Sequence, residues 1–146
     1  MNDQPGIAIP NLLYTYAMRF DDGDFDGAAA LFDKGCVLAG GHRIEGREGI
    51  TAMWAGWVKT YDGKPRTRHI TTNPIIALDP DGKGASCQSQ WTVIQAAPGF
   101  ALQLVASGRY ADRFARDAEG WHFETREYLQ TDLVGDWSAH TLQPLG

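Results

Sequence analysis

Asp21 and His69 are the two side chains of this 146-residue sequence whose positions invite acid–base chemistry. Asp21 closes a mostly apolar stretch, in helical line with Tyr14, Ala17 and Met18 and directly before Asp22-Gly23. A carboxylate at the rim of buried space needs a hydrogen-bonded partner; a turn Asp beside Gly is the simpler reading of the same residue. His69 alternates with Thr71, Asn73 and Ile75 along a strand-like run, which puts His, Thr and Asn on one face. That face suits a pocket wall, and it suits equally a His satisfied by a neighbouring hydroxyl. Arg109 and Arg126 lie on later strand-like runs. Arg126 alternates with His122, Glu124, Tyr128 and Gln130, a polar face that fits solvent, a subunit interface or the open end of a pocket. His42, His122 and His140 read as loop or surface residues, and the four histidines show no metal-ligand spacing, so no metal is expected. Phosphate loops, nucleophile elbows and Cys–His pairings are all missing. Any chemistry here is expected to be cofactor-free and to rest on Asp, His, Tyr and Arg.

The elements that must hold these groups follow from period and punctuation. Leu13, Tyr16, Ala17 and Phe20 form an i, i+3, i+4, i+7 stripe within a helix predicted over 7–20, after six residues expected to fray. Asp24 is a good N-cap for a short helix reaching Phe32. A strand at Cys36–Ala39 and a Gly40-Gly41 turn precede a third helix after Gly46, whose apolar stripe is Ile50, Met53, Trp54, Trp57, Val58 and Tyr61. Four strand-like runs, near 66–78, 84–97, 100–114 and 121–131, are separated by Asp79-Pro80-Asp81-Gly82, Ala97-Pro98-Gly99 and Asp117-Ala118-Glu119-Gly120. Strands this long must twist and bend, with bulges. On the second run the inward set Ala85, Cys87, Ser89, Trp91 and Val93 mixes small and large residues, which leaves room over the sheet for a ligand. Helices first and an antiparallel meander second predict an α+β fold, a single domain spanning 1–146 with its core at about 7–131 and an extension at 132–146.

Composition limits the function classes. Apolar residues make up 43% and charged residues 21%, ordinary values for a globular chain. Five Trp, five Tyr and six Phe point to an aromatic core or an aromatic-lined cavity, while Trp54, Trp57 and Trp91 taken singly fit plain core packing. The net charge of −5 and the scattered Lys and Arg argue against nucleic acid. No signal-like segment or spanning apolar run is seen, and Cys36 and Cys87 fit no redox or metal motif, so a cytoplasmic location and no membrane partner are expected.

Four stretches together resemble the SnoaL-like group of the nuclear transport factor 2-like superfamily. They are Tyr16-Ala17-Met18-Arg19-Phe20-Asp21-Asp22-Gly23-Asp24-Phe25 through Leu31-Phe32, the helix after Gly46, Arg68-His69-Ile70-Thr71-Thr72-Asn73, and Gly108-Arg109-Tyr110-Ala111-Asp112-Arg113-Phe114 leading to Gly120-Trp121-His122-Phe123. The pattern is similar to that of scytalone dehydratase, bile-acid 7α-dehydratase and hexachlorocyclohexane dehydrochlorinase. The resemblance implies a cone-like barrel, with N-terminal helices packed in the concave face of a curved sheet. It also implies an Asp–His dyad on Asp21 and His69, with Tyr16 and Arg126 as further catalytic residues, and no clear counterpart of the second pocket histidine of the fungal dehydratase. The expected reaction is β-elimination, most simply dehydration, of a small hydrophobic cyclic hydroxy-carbonyl compound. Tyr14, Trp54, Trp57, Asn73, Trp91 and Tyr110 are expected to contact it. Two other classes stay open: a ketosteroid-isomerase-like or polyketide-cyclase-like proton shuttle, and an accessory or ligand-carrying subunit like the β subunit of ring-hydroxylating dioxygenases. An exposed outer sheet face at about 84–130 predicts a homo-oligomer, a dimer or trimer.

Overall fold

The computed structural model describes residues 3–142. Three helices come early: α1 at Pro5–Asp21, α2 at Phe25–Ala30 and α3 at Arg47–Trp57. The strands are β1 at Cys36–Ala39, β2 at His42–Glu45, β3 at Thr67–Leu78, β4 at Gly84–Ala97, β5 at Phe100–Asp117, β6 at Gly120–Tyr128 and β7 at Leu133–Val134. Helix α1 starts earlier than its apolar period does, because Pro5 at the first turn is preset for helical φ and loses no needed donor. The fraying expected of residues 1–6 therefore does not extend to Pro5 and Gly6; Met1 and Asn2 lie outside the described residues. Asp24 caps α2 by accepting from the Gly27 amide at 2.9 Å. Helix α3 stops at Trp57, and Val58 and Tyr61 instead make isolated bridges to Thr141 and Lys64. The short strand β2, which carries no apolar alternation, pairs with β1 across the Gly40-Gly41 turn.

The sheet runs β2-β1-β6-β5-β4-β3, with β7 added on β5. Every pairing is antiparallel except β1 with β6. Register shifts interrupt β3–β4, β4–β5 and β5–β6, and each adds local twist, so the long strands curl around the helices. The fold is an α+β cone. Its core joins Ile9, Leu13 and Phe20 of α1 and Phe32 behind α2 to Phe114 and Phe123 of the sheet. Full burial of each such side chain is worth about 1.5–3 kcal/mol, which ties α1 firmly to the sheet.

Two glycines set positions that matter for the site. Gly23 has φ +77°, and a Cβ on it would overlap the Gly63 carbonyl oxygen, so the chain can leave Asp21 this sharply only with glycine there. Gly108 lies flat under the Trp91 ring, where a Cβ would come within 2.6 Å of Cζ2.

Candidate active site

The last residue of α1 and the first turn of β3 meet at the wall of a cavity. Asp21 is buried, and three donors converge on its carboxylate. Thr67 Oγ1 donates to Oδ1 at 2.7 Å, the His69 backbone amide donates to Oδ2 at 2.7 Å, and His69 Nδ1 lies 2.6 Å from Oδ1. An ionised carboxylate only accepts, so the imidazole proton belongs on Nδ1 and the Nε2 lone pair is left for chemistry. Phe20 presses edge-on against the imidazole, with ring centroids 5.0 Å apart, and fixes its plane. The backbone amide bond locks the carboxylate to the strand that carries the histidine.

The cavity has a volume of about 950 Å³, enough for a drug-sized molecule. Trp54, Trp57, Trp91, Tyr16 and Tyr110 line it as aromatic walls, and His69 faces it. Among the described residues, no Lys, Arg, Asp or Glu lines it. Tyr16 and Tyr128 hydroxyls are 2.7 Å apart, and Trp54 Nε1 donates to Tyr128 Oη at 3.1 Å. Indole can only donate, and the Tyr16–Tyr128 bond uses one phenol proton; the Tyr110 hydroxyl also interacts with that of Tyr16, so the cavity wall carries a cluster of three phenols. Burial holds the Tyr16 hydroxyl well above the usual phenol range, and it raises Tyr110 and Tyr128 as well. These phenols are therefore neutral donors at ordinary pH.

Three residues expected at the site lie elsewhere. Tyr14 is 43% exposed, on the solvent side of α1, because the helical rotation that buries Leu13 and Tyr16 turns it outward. Asn73 sits in a bulge with φ +54°, hydrogen-bonded to Gln90 on the surface. The bulge shifts the alternation by one, so Ile76 rather than Ile75 packs inward. Arg126 is fully buried behind the wall and is not a lining residue. The β5–β6 register skips Glu124, which moves Arg126 from the His122 and Glu124 face to that of Phe123. There it binds Asp112 through two bonds of 2.9 and 2.8 Å, and its guanidinium stacks on Tyr110 at 3.6 Å and Tyr16 at 4.4 Å. Burial opposes its charge, but the Asp112 carboxylate outweighs that and keeps it protonated.

Tyr128 and His140 are cavity residues that sequence reasoning missed. Tyr128 shared a strand face with Arg126, but the skip at Glu124 disguised which way that face points. His140 is buried beside His69, with ring centroids 6.1 Å apart, and is not a surface residue. It arrives on the C-terminal segment with Trp137, and no periodicity announces either.

Among the described residues no helix is long and apolar enough to cross a membrane. No curated protein matches the chain. Solved structures do. Rv3472 of Mycobacterium tuberculosis, a protein of unknown function, is 26% identical over 85% of this chain and 69% of its own, with a TM-score of 0.69. A Novosphingobium aromaticivorans protein provisionally named a scytalone dehydratase is 22% identical over 95% of this chain and 91% of its own, at TM-score 0.68. A nuclear transport factor 2-like protein with a cystatin-like fold from the same organism is 20% identical over 90% and 82%, at 0.67. At these last two identities the likeness is one of fold. The SnoaL-like domain model matches residues 7–127, from the first turn of α1 to the end of β6, and the chain belongs to that family.

Proposed function

We propose that the protein is a cofactor-independent lyase that removes water from a hydrophobic cyclic hydroxy-carbonyl compound. The observation that carries this reading is the 2.6 Å contact between Asp21 and His69 at the wall of an aromatic cavity that no Lys, Arg, Asp or Glu lines among the described residues. His69 Nε2 takes the proton from the carbon next to the carbonyl, and Asp21 orients the ring and stabilises the imidazolium. The Tyr16–Tyr128 pair hydrogen-bonds the carbonyl oxygen as negative charge grows there. Arg126 acts from behind, fixing the Tyr16 and Tyr110 rings. The β-hydroxyl then leaves with the proton held by His69, and the C=C bond forms. An uncharged lining favours a neutral substrate over a carboxylate or phosphate, which would need a cation to replace lost hydration.

Measured on a fused cyclic β-hydroxy ketone, His69→Ala abolishes turnover while binding survives. Asp21→Asn loses about 10²–10⁴ in kcat by misorienting the imidazole. Tyr16→Phe loses less, since one phenol remains. A proton shuttle centred on Asp21 gives the reverse order, with His69→Ala mild. An accessory subunit gives no turnover and equal affinity in all variants. Against the shuttle, both Asp21 oxygens are already taken by protein donors. The two buried free thiols suit a reducing cytoplasm, and the exposed Leu102 and Leu104, within the sheet face at about 84–130, suit self-association as a dimer or trimer.

A further inference from the structure

We propose that His140 is a second catalytic residue of this site, one that hydrogen-bonds the hydroxyl lost from the substrate ring. The inference rests on the Asp21–His69 reading for its chemistry and on separate observations for its place. Residues 138–142 are pinned over the cavity by bonds to three other parts of the fold. The Leu142 amide donates to the Trp57 carbonyl at 2.8 Å, the Lys59 amide to the His140 carbonyl at 2.8 Å, and Lys59 Nζ to the Ser138 carbonyl at 2.7 Å. Tyr61 Oη and Gln95 Nε2 both donate to the Ala139 carbonyl, at 2.7 and 3.0 Å. This segment is therefore a built wall, and it delivers an imidazole to within 6.1 Å, centroid to centroid, of the His69 ring.

His140 is 7% exposed, lines the cavity, and has its Nδ1 buried with no hydrogen-bond partner among the described residues. A buried polar atom without a partner is rare in native proteins; with Nδ1 shut off from the cavity, the ring nitrogen left to meet a ligand there is Nε2, which is not among the buried unpartnered atoms. Burial, and next the neighbouring His69, push this imidazole down to about 4, with Asp21 acting weakly the other way. At neutral pH it is uncharged, so it offers one N–H and one lone pair and does not compete for the proton that His69 takes. A neutral imidazole can serve as a hydrogen-bond donor to a reacting oxygen without giving up its proton.

Placement assigns the oxygen. The carbonyl belongs at the Tyr16–Tyr128 pair, the acidic carbon at His69 Nε2, and the hydroxyl on the next ring carbon falls beside the base, where His140 stands. The C–H electron pair becomes the C=C bond, the C–O pair leaves with oxygen, and the proton on His69 Nε2 completes the water. His140 donates a hydrogen bond throughout and ends unchanged.

The test compares two probes in the full chain. 1-Tetralone has an acidic carbon and no leaving group, so it reports proton abstraction through deuterium exchange. 3-Hydroxy-1-tetralone can also lose water to give fluorescent 1-naphthol. In His140→Phe, with folding checked by near-UV circular dichroism, exchange falls less than about threefold while naphthol formation falls about 10²-fold. His140→Gln, which restores a donor, recovers part of the loss. Equal losses in both reactions, or none in either, overturn the proposal. If the parent catalyses neither reaction, the Asp21–His69 reading fails and His140 is judged by affinity alone. Its role as hydroxyl partner then predicts that the parent binds the hydroxylated probe about 2–10-fold better than 1-tetralone, and that His140→Phe erases the difference. An unchanged ratio overturns it.

Discussion

Removing Asp112 should destabilise the fold from the wall behind the cavity. Arg126 is fully buried, and among the described residues Asp112 supplies its two hydrogen-bonded oxygens, at 2.9 and 2.8 Å, while Nη1 has no partner there. Asp112→Ala leaves a guanidinium with no counter-charge in a low-dielectric interior, a loss of about 3–5 kcal/mol. The stacking on Tyr110 and Tyr16 survives but supplies only about 1–2 kcal/mol per contact, too little to replace the carboxylate. For 146 residues at about 2.1 cal/mol/K each, the unfolding entropy is roughly 0.3 kcal/mol/K. The expected drop in Tm is then about 10–16 °C. Arg126→Met combined with Asp112→Leu removes both charges at similar volume and should lie within about 2 kcal/mol of the parent. Urea unfolding followed by tryptophan fluorescence gives all three stabilities. A loss under 1 kcal/mol for Asp112→Ala, or a double variant as unstable as the single, would refute the claim that burial of an unpaired charge dominates here.

Other consequences are accessible to simple measurements. His140 has its folded pKa depressed to about 4 from an ordinary 6.5, so the unfolded chain binds more protons between those values. Its contribution, up to about 3 kcal/mol, is fully present above pH 6.5 and is lost as pH falls toward 4; His140→Gln should flatten that part of a stability-versus-pH curve. Gly108→Ala puts a Cβ 2.6 Å from the Trp91 ring and must push that ring into the cavity, costing about 1–3 kcal/mol and weakening 1-tetralone binding by fluorescence titration. Light scattering at micromolar concentration should give a dimer or trimer mass, and a monomer mass counts against the outer face at about 84–130, with its exposed Leu102 and Leu104, as an assembly surface.

How much of this is legible in the sequence depends on where strand alternation survives. The α1 stripe and the inward set of β4 read correctly, because an uninterrupted helix or strand keeps its phase: Leu13, Tyr16 and Phe20 are buried, as are Ala85, Cys87, Ser89 and Val93. Asn73 and Arg126 mislead for one shared reason. A bulge beside each adds a residue to one strand, and everything beyond it changes face. Bulges answer to the curvature of the whole sheet, which no local pattern encodes. His140 fails differently. Its segment is fixed by backbone bonds to Trp57 and Lys59, bonds that any residue type can make, so its side chain's destination leaves no trace in composition. Asp21 and His69 meet because α1 ends where Gly23 permits a sharp exit against Gly63, and the resemblance placed them together where periodicity alone left two readings open.

The central claim is that His69, oriented by Asp21, abstracts a proton from carbon. The most direct measurement is deuterium incorporation at the carbon next to the carbonyl of 1-tetralone, followed by NMR, in the parent, His69→Ala and Asp21→Asn. The account predicts catalysed exchange in the parent, none above background in His69→Ala, and a rate reduced about 10²-fold or more in Asp21→Asn. Full exchange in His69→Ala would contradict it.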